Sequence, residues 1–234
     1  MGELILIPTP LQDDLPLETI ALEKLTADCL KETVVLLVEE HKVARQRWLR
    51  WGLPREGIEK FILFNEHTQE KIQAEIIKGL TEGKKTYLMS DCGLPAFCDP
   101  GQKLVDACHK RRIKVTATPF PNSIALSLAL SGFSHARFIF SGFIPVKEPE
   151  RSEWIKQELK KPETQIWMET PYRLKRLVED LAKVVSGREI FLAIDLGGQQ
   201  ELLLRGQVSS VLKALADQDK REFVLVVAPL SSRP

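Results

Sequence analysis

The sequence predicts an α/β protein of two domains, the first built on a mainly parallel sheet and the second on a mixed one. Three observations carry that prediction. Short β-rich apolar runs alternate with helical periodicity through the first half. In the second half two strand-like runs, 190–194 and 202–204, follow one another with no helix between them, which requires antiparallel pairing. Between the halves, Thr118-Pro119-Phe120-Pro121-Asn122 places two prolines where neither helix nor central strand tolerates them, giving domains at 1–118 and 119–234.

Taken in order, the first-half strands are expected at 4–7, 34–38, 61–64, 86–89 and 113–116, each a run of Val, Ile, Leu, Phe or Tyr. Leu17, Ile20, Ala21 and Leu25 recur at helical spacing after the first strand, and Ile72, Ile76, Ile77 and Leu80 after the third, with Gly79 and Gly83 punctuating that helix's end. Second-half strands are expected at 138–140, 165–168, 190–194, 202–204 and 223–227. The tail Ser231-Ser232-Arg233-Pro234 is expected to fray.

Composition limits the function classes. With 234 residues, 44% apolar and 28% charged, the chain buries roughly 70% of its unfolded surface and needs no disulfide or metal staple. Its 33 Lys+Arg and 32 Asp+Glu leave a net charge of +1, so any nucleic-acid contact has to come from a local patch. The start, Met1-Gly2-Glu3-Leu4-Ile5-Leu6-Ile7-Pro8, lacks a basic leader, and the apolar stretch 124–130 falls short of the ~20 residues that span a bilayer. A cytoplasmic protein without a membrane segment is expected. Cys29, Cys92, Cys98 and Cys108 show no C-x-x-C spacing and read as free thiols, and His41, His67, His109 and His135 lack i, i+4 pairing, so no metal is expected.

In open parallel sheets ligands bind beyond the carboxyl ends of the strands. Two loops stand out there. Pro8-Thr9-Pro10-Leu11-Gln12 is rigid and poor in donors. Residues 90–101, Ser-Asp-Cys-Gly-Leu-Pro-Ala-Phe-Cys-Asp-Pro-Gly, hold two Gly, two Pro and two Asp, and exceed the ~2–6 residues that a strand-to-helix turn needs. A bland alternative makes Asp99 the cap of a helix begun by Pro100. No G-x-G-x-x-G or phosphate loop is present. Lys42, Arg45, Arg47, Arg50 and Arg55, interleaved with Trp48 and Trp51, form either a base-stacking basic patch or a solvated helix whose tryptophans pack on the core. Thr170 and Pro171 read as the start of a helix, which leaves Glu169 and Arg173 either to pair or to face an expected cleft between the domains.

The order of these segments resembles the tetrapyrrole methylase superfamily, and within it the ribosomal RNA small subunit methyltransferase I branch, as a divergent, short member. Residues 4–10, Asn65-Glu66-His67, the Ser90-Asp91-Cys92-Gly93-Leu94-Pro95 and Cys98-Asp99-Pro100-Gly101 pair, 119–123, Glu169-Thr170-Pro171-Tyr172-Arg173 and 222–227 carry the resemblance. Three segments depart from the branch pattern: the first loop runs Pro10-Leu11-Gln12-Asp13, the second strand is followed by Glu39-Glu40-His41-Lys42, and the linker reads Pro119-Phe120-Pro121-Asn122-Ser123. The resemblance implies two α/β domains of the tetrapyrrole methylase type with a cofactor cleft between them, working as a homodimer. It implies S-adenosylmethionine as cofactor, held by Pro10, Leu11, Asp91, Gly93, Phe97, Cys98, Asp99, Ser123, Ile124, Met168 and Leu196. The implied reaction is methylation of a ribose 2′-hydroxyl in small-subunit ribosomal RNA. Candidate RNA contacts are Lys42, Arg47, Arg50 and Arg173, and His67 or Glu169 is the candidate acceptor of the hydroxyl proton. The alternatives are a methyltransferase of a tetrapyrrole-like small molecule and a non-catalytic cofactor- or RNA-binding protein.

Overall fold

A computed structural model describes residues 1–12, 15–120, 122–215 and 220–230. Asp13 and Pro121, both in segments singled out above, and the tail 231–234 lie outside the described residues. The chain forms two compact units, Met1–Phe120 and Pro121–Pro234.

In the first unit, β1 (Glu3–Ile7), β2 (Val34–Val38), β3 (Phe61–Leu63), β4 (Lys85–Met89) and β5 (Lys114–Ala117) form one sheet in the order β3-β2-β4-β1-β5. Every pairing in it is parallel. Helices α1 (Thr19–Asp28), α2 (His41–Arg50), α3 (Gln69–Thr81) and α4 (Gln102–Lys110) cover it. The strands lack polar alternation because both faces are buried. Ile5, Ile7, Leu36, Val38, Tyr87 and Met89 point into a core with α1 and with Trp48 of α2. Leu4, Leu37 and Leu88 point the other way, against Ile76, Ile77 and Leu80 of α3 and Leu104, Ala107 and Cys108 of α4. Gly79 lies inside α3 and does not end it, and Gly83 follows as the left-handed turn, at φ 101°.

The sheet is pinned at its amino edge by a buried carboxylate. Against the cost of burial, hydrogen bonds from Lys31, Lys85 and the Tyr87 hydroxyl hold Asp28 well below the usual carboxylate range.

In the second unit, β6 (Phe138–Phe143), β7 (Thr164–Met168), β8 (Glu189–Ile194), β9 (Leu202–Gln207) and β10 (Phe223–Val227) are ordered β6-β7-β10-β8-β9. β6 and β7 are parallel, while β10 is antiparallel to β7 and β8, and β9 antiparallel to β8. This is the expected mixed sheet. β7 and β8 therefore point the same way, and Met168 and Leu196 emerge at one edge. Helices α5 (Ser123–Ser131), α6 (Glu150–Glu158), α7 (Leu174–Val184) and α8 (Val208–Leu215) complete the unit. Leu174, Leu177, Val178 and Leu181 of α7 pack with Val208, Val211 and Leu215 of α8 on Ile190, Leu192, Leu225 and Val227. Among the described residues no helix is long and apolar enough to cross a membrane, and no His/Cys/Asp/Glu group is arranged to hold a metal.

Candidate active site

Two loops at the carboxyl edge of the first sheet are stitched by main-chain bonds. Thr9 and Gly93 form an isolated antiparallel bridge, with N–H to O distances of 2.8 and 3.1 Å. The Thr9 hydroxyl donates to the Ser90 carbonyl at 3.2 Å, and the Ser90 hydroxyl lies 3.2 Å from the Gly93 carbonyl. Glu39, just beyond β2, accepts the Asp91 N–H at 3.1 Å. The loop's course is set by four residues with left-handed φ, Gly93 (83°), Ala96 (64°), Cys98 (64°) and Gly101 (130°). Two of these carry side chains, and each such residue stores about 1–3 kcal/mol of strain, which persists where surrounding structure over-determines it.

Gly101 tests the cradle directly. A Cβ there would stand 2.7 Å from Leu88 Cδ2 and 3.1 Å from Ala96 Cβ, on a backbone that L residues avoid. Gly101→Ala is expected to lose about 2–4 kcal/mol of stability, measured by urea denaturation.

Beside this cradle lies a cavity of about 640 Å³, walled by Glu39, Glu40, Asn65, Glu66, His67, Asp91, Cys98, Asp99 and Lys103 among others. Its volume falls within the roughly 300–1,000 Å³ of small-molecule sites. The wall is acidic. Burial, reinforced by the Glu39 charge, pushes the Asp91 carboxyl up to about 6 and the Asp99 carboxyl up to about 7. Burial and Asp99 also push the Cys98 thiol above its ordinary value, so it stays protonated at neutral pH. Such a wall favours a cation or a hydrogen-bond donor and repels phosphate. The carboxylates of this wall suit a ligand that carries cationic groups, as S-adenosylmethionine does in its sulfonium and ammonium.

The structure brings some predicted residues together and separates others. Pro10 and Leu11, with Asp91, Gly93, Phe97, Cys98 and Asp99, belong to the stitched loops. Asp99 is not a helix cap, because α4 starts at Gln102 behind Gly101 and receives no side-chain cap bond. In the second unit Ser123 and Ile124 open α5 behind the Asn122 cap, Met168 ends β7, and Leu196 follows β8.

The supposed basic-aromatic patch divides. Trp48 is fully buried, donates to the Pro54 carbonyl at 2.7 Å and meets Phe61 edge-on, so it is core. Arg47 is only 6% exposed and donates to the Pro10 carbonyl at 2.7 Å. A buried guanidinium cannot meet RNA phosphate, and Arg47 is corrected from an RNA contact to a tie on the first loop. Lys42 and Arg50 stay on the surface of α2. His67 lines the cavity, with its Nε2 3.3 Å from Glu66 Oε1.

Glu169 is 3% exposed. Arg151 binds it at 2.5 Å and Arg173 at 3.0 Å, and its Oε1 also accepts the Thr170 N–H. The pairing reading of Glu169 and Arg173 is the observed one. Sequence reasoning missed Glu39 and Arg151. Arg151 had a signal: it stands one turn before Ile155, on the inward stripe of α6.

The family model for Tetrapyrrole (Corrin/Porphyrin) Methylases matches residues 20–212. Over 212 residues, 91% of each chain, the protein is 33% identical to a ribosomal RNA small subunit methyltransferase I of Thermotoga maritima. It is 30% identical to the protein of that name from Bacillus subtilis, over 97% of this chain and 75% of the relative. Among solved structures, a diphthine synthase superposes with a TM-score of 0.68 at 12% identity, over 97% of this chain and 90% of that one. A uroporphyrin-III-C-methyltransferase from Thermus thermophilus gives 0.54 at 17% identity, over 97% and 94%. These last two are likenesses of fold.

Proposed function

This chain belongs to the tetrapyrrole methylase family of S-adenosylmethionine-dependent methyltransferases, and from that premise we propose that its methyl acceptor is RNA, a ribose hydroxyl of small-subunit ribosomal RNA. The name carried by the Thermotoga maritima and Bacillus subtilis relatives supports the acceptor. The acidic cavity beside the stitched loops supports the cofactor. The enzyme is proposed to work in the cytoplasm as a homodimer and without a metal.

When bound, S-adenosylmethionine supplies a methyl group on a sulfonium, a leaving group that needs no further activation. The protein's work is then to hold and orient. Pro10, Leu11, Gly93, Phe97 and Cys98 would present backbone and side chain to the cofactor. The Asp91 and Asp99 carboxylates, which line the cavity, would offset its positive charge. Arg47 fixes Pro10, and Glu39 fixes the backbone of Asp91. His67, in the cavity wall, takes the proton of the attacking hydroxyl, because Glu169 is committed to its arginines. Lys42, Arg50 and Arg173 remain the RNA-facing cations of the proposal.

The observation that carries this reading is the concentration of carboxylates, from the long loop and from the segments after β2 and β3, in one cavity at the sheet's carboxyl edge. Its test is calorimetric titration with S-adenosylmethionine, followed by transfer of labelled methyl to small ribosomal subunits from a strain deleted for the corresponding methyltransferase. Arg47→Ala is expected to raise KM for the cofactor about tenfold with little change in kcat, and Arg47→Lys to recover part of that loss. Methylation of a free tetrapyrrole and not of subunits would replace RNA by a small molecule as acceptor. Cofactor binding with no acceptor methylated would leave a non-catalytic binding protein.

A further inference from the structure

We infer that the turn Pro171–Arg173 presents Tyr172 as a stacking platform for an unpaired nucleobase of the acceptor RNA, with Lys220 beside it as a phosphate-facing cation. The inference rests on the RNA reading proposed above.

Tyr172 is 75% exposed, more than Phe143 at 51% and Phe138 at 46%. It is also firmly held. Its turn is a single 3-10 turn opened by proline, closed by Arg173 N–H donating to the Thr170 carbonyl at 2.9 Å. The chain on either side of the ring is tied to one buried carboxylate, by a main-chain N–H before it and a guanidinium after it. Glu169 Oε1 takes the Thr170 N–H at 2.8 Å and Arg173 Nη1 at 3.0 Å. That carboxylate is itself anchored by Arg151, which is fully buried and also binds Asp180 at 2.8 Å. A buried ionic cluster, costly to desolvate, thus fixes the turn that carries a largely exposed ring. A ring carried on a fixed turn suits base stacking, since less backbone motion remains to be frozen when a base arrives.

Charge points the same way. Lys220 Nζ lies 5.6 Å from the Tyr172 ring centroid, and Lys220 holds a left-handed backbone at φ 58° just ahead of β10. Arg173, Lys175 and Arg176 follow Tyr172 within the next turn, with Asp180 and Glu148 the acids nearest Arg176, at 3.8 and 4.0 Å. A chain with net charge +1 has to hold RNA through a local patch. Trp48 and Trp51 do not supply its aromatic part, because Trp48 is core and Trp51 packs partly buried against that core. The acidic cavity of the first unit does not supply its cations.

The test is fluorescence anisotropy of a fluorescein-labelled single-stranded RNA of ~12 nucleotides, run beside calorimetric titration with S-adenosylmethionine and methyl transfer to small ribosomal subunits. Tyr172→Ala is expected to weaken RNA binding about tenfold, and Tyr172→Phe, which keeps the ring face, to stay within about twofold. Lys220→Gln should lower the slope of log affinity against log salt by about 0.7. None of the three should alter affinity for S-adenosylmethionine. If Tyr172→Ala binds and methylates RNA as the native protein does, the platform is refuted and the RNA reading stands. If Tyr172→Phe is as weak as Tyr172→Ala, the hydroxyl and not the ring face makes the contact, and stacking is refuted. If the native protein binds S-adenosylmethionine but neither binds the oligonucleotide nor methylates subunits, the RNA reading fails and takes the platform with it.

Discussion

Glu169→Ala is expected to destabilise the second unit by about 3–5 kcal/mol. Most of that loss comes from what is left behind. Arg151 has no exposed surface, and its charge is balanced by Glu169 at 2.5 Å and Asp180 at 2.8 Å. Removing Glu169 leaves a guanidinium in a dry interior with one carboxylate in place of two, and frees the Thr170 N–H and Arg173 as well. The same logic predicts strong non-additivity. Arg151→Met is damaging alone, because the buried Glu169 then keeps Arg173 but loses its buried guanidinium, as does Asp180, whereas Arg151→Met with Glu169→Leu replaces the pair by apolar volume and should cost clearly less than the two single losses summed. Urea denaturation of the four proteins measures the coupling. Additive losses, or a Glu169→Ala protein within about 1 kcal/mol of the native one, would show that the cluster does not hold the turn.

Affinity for S-adenosylmethionine is expected to fall about tenfold from roughly pH 7.5 to pH 5.5. Asp91 and Asp99 have carboxyls raised to about 6 and about 7 by burial and by Glu39. Across that interval they gain protons and lose the charge that attracts a cation, so ligand binding has to expel protons. Stability of the free protein runs the opposite way. A carboxyl that holds its proton more firmly folded than unfolded stabilises the fold in full below its unfolded value near 3.8, and that contribution is lost as pH rises through about 6 and about 7. The free protein should therefore lose stability over the same interval in which its ligand binds more tightly. Asp91→Asn with Asp99→Asn, neutral at every pH, should flatten both slopes, with a His67→Gln control leaving them in place. S-adenosylhomocysteine, which lacks the sulfonium charge, should show a weaker dependence. Equal slopes in the native and double-Asn proteins would mean that these carboxylates do not meet the ligand.

The fold was legible because its strands are apolar on both faces or plainly alternating, and because nothing but antiparallel pairing fits two strands in succession. The long loop was legible from its length alone. Side-chain burial was harder to read, although part of it was there. Arg47 stands three residues after Ala44 and four before Trp51, on the stripe that faces the core, and Arg151 shares the inward face of Ile155. For Arg47 the charge reads as a sign of the surface, where helical position says otherwise. Asp99 was harder still. Its release from capping depends on the left-handed turn at Gly101 that delays α4 by two residues, a backbone fact that composition does not encode.

The Thr9 and Gly93 bridge also bears on how such a chain diverges. Its bonds run between main-chain atoms, so they do not depend on which side chains the two loops carry. Leu11, Gln12 and their neighbours can be exchanged, altering the lining presented to a ligand, while the frame that carries them keeps its place. A first loop that no longer spells its relatives' motif can thus sit in the same cradle, and acceptor preference can drift on a cofactor scaffold that does not.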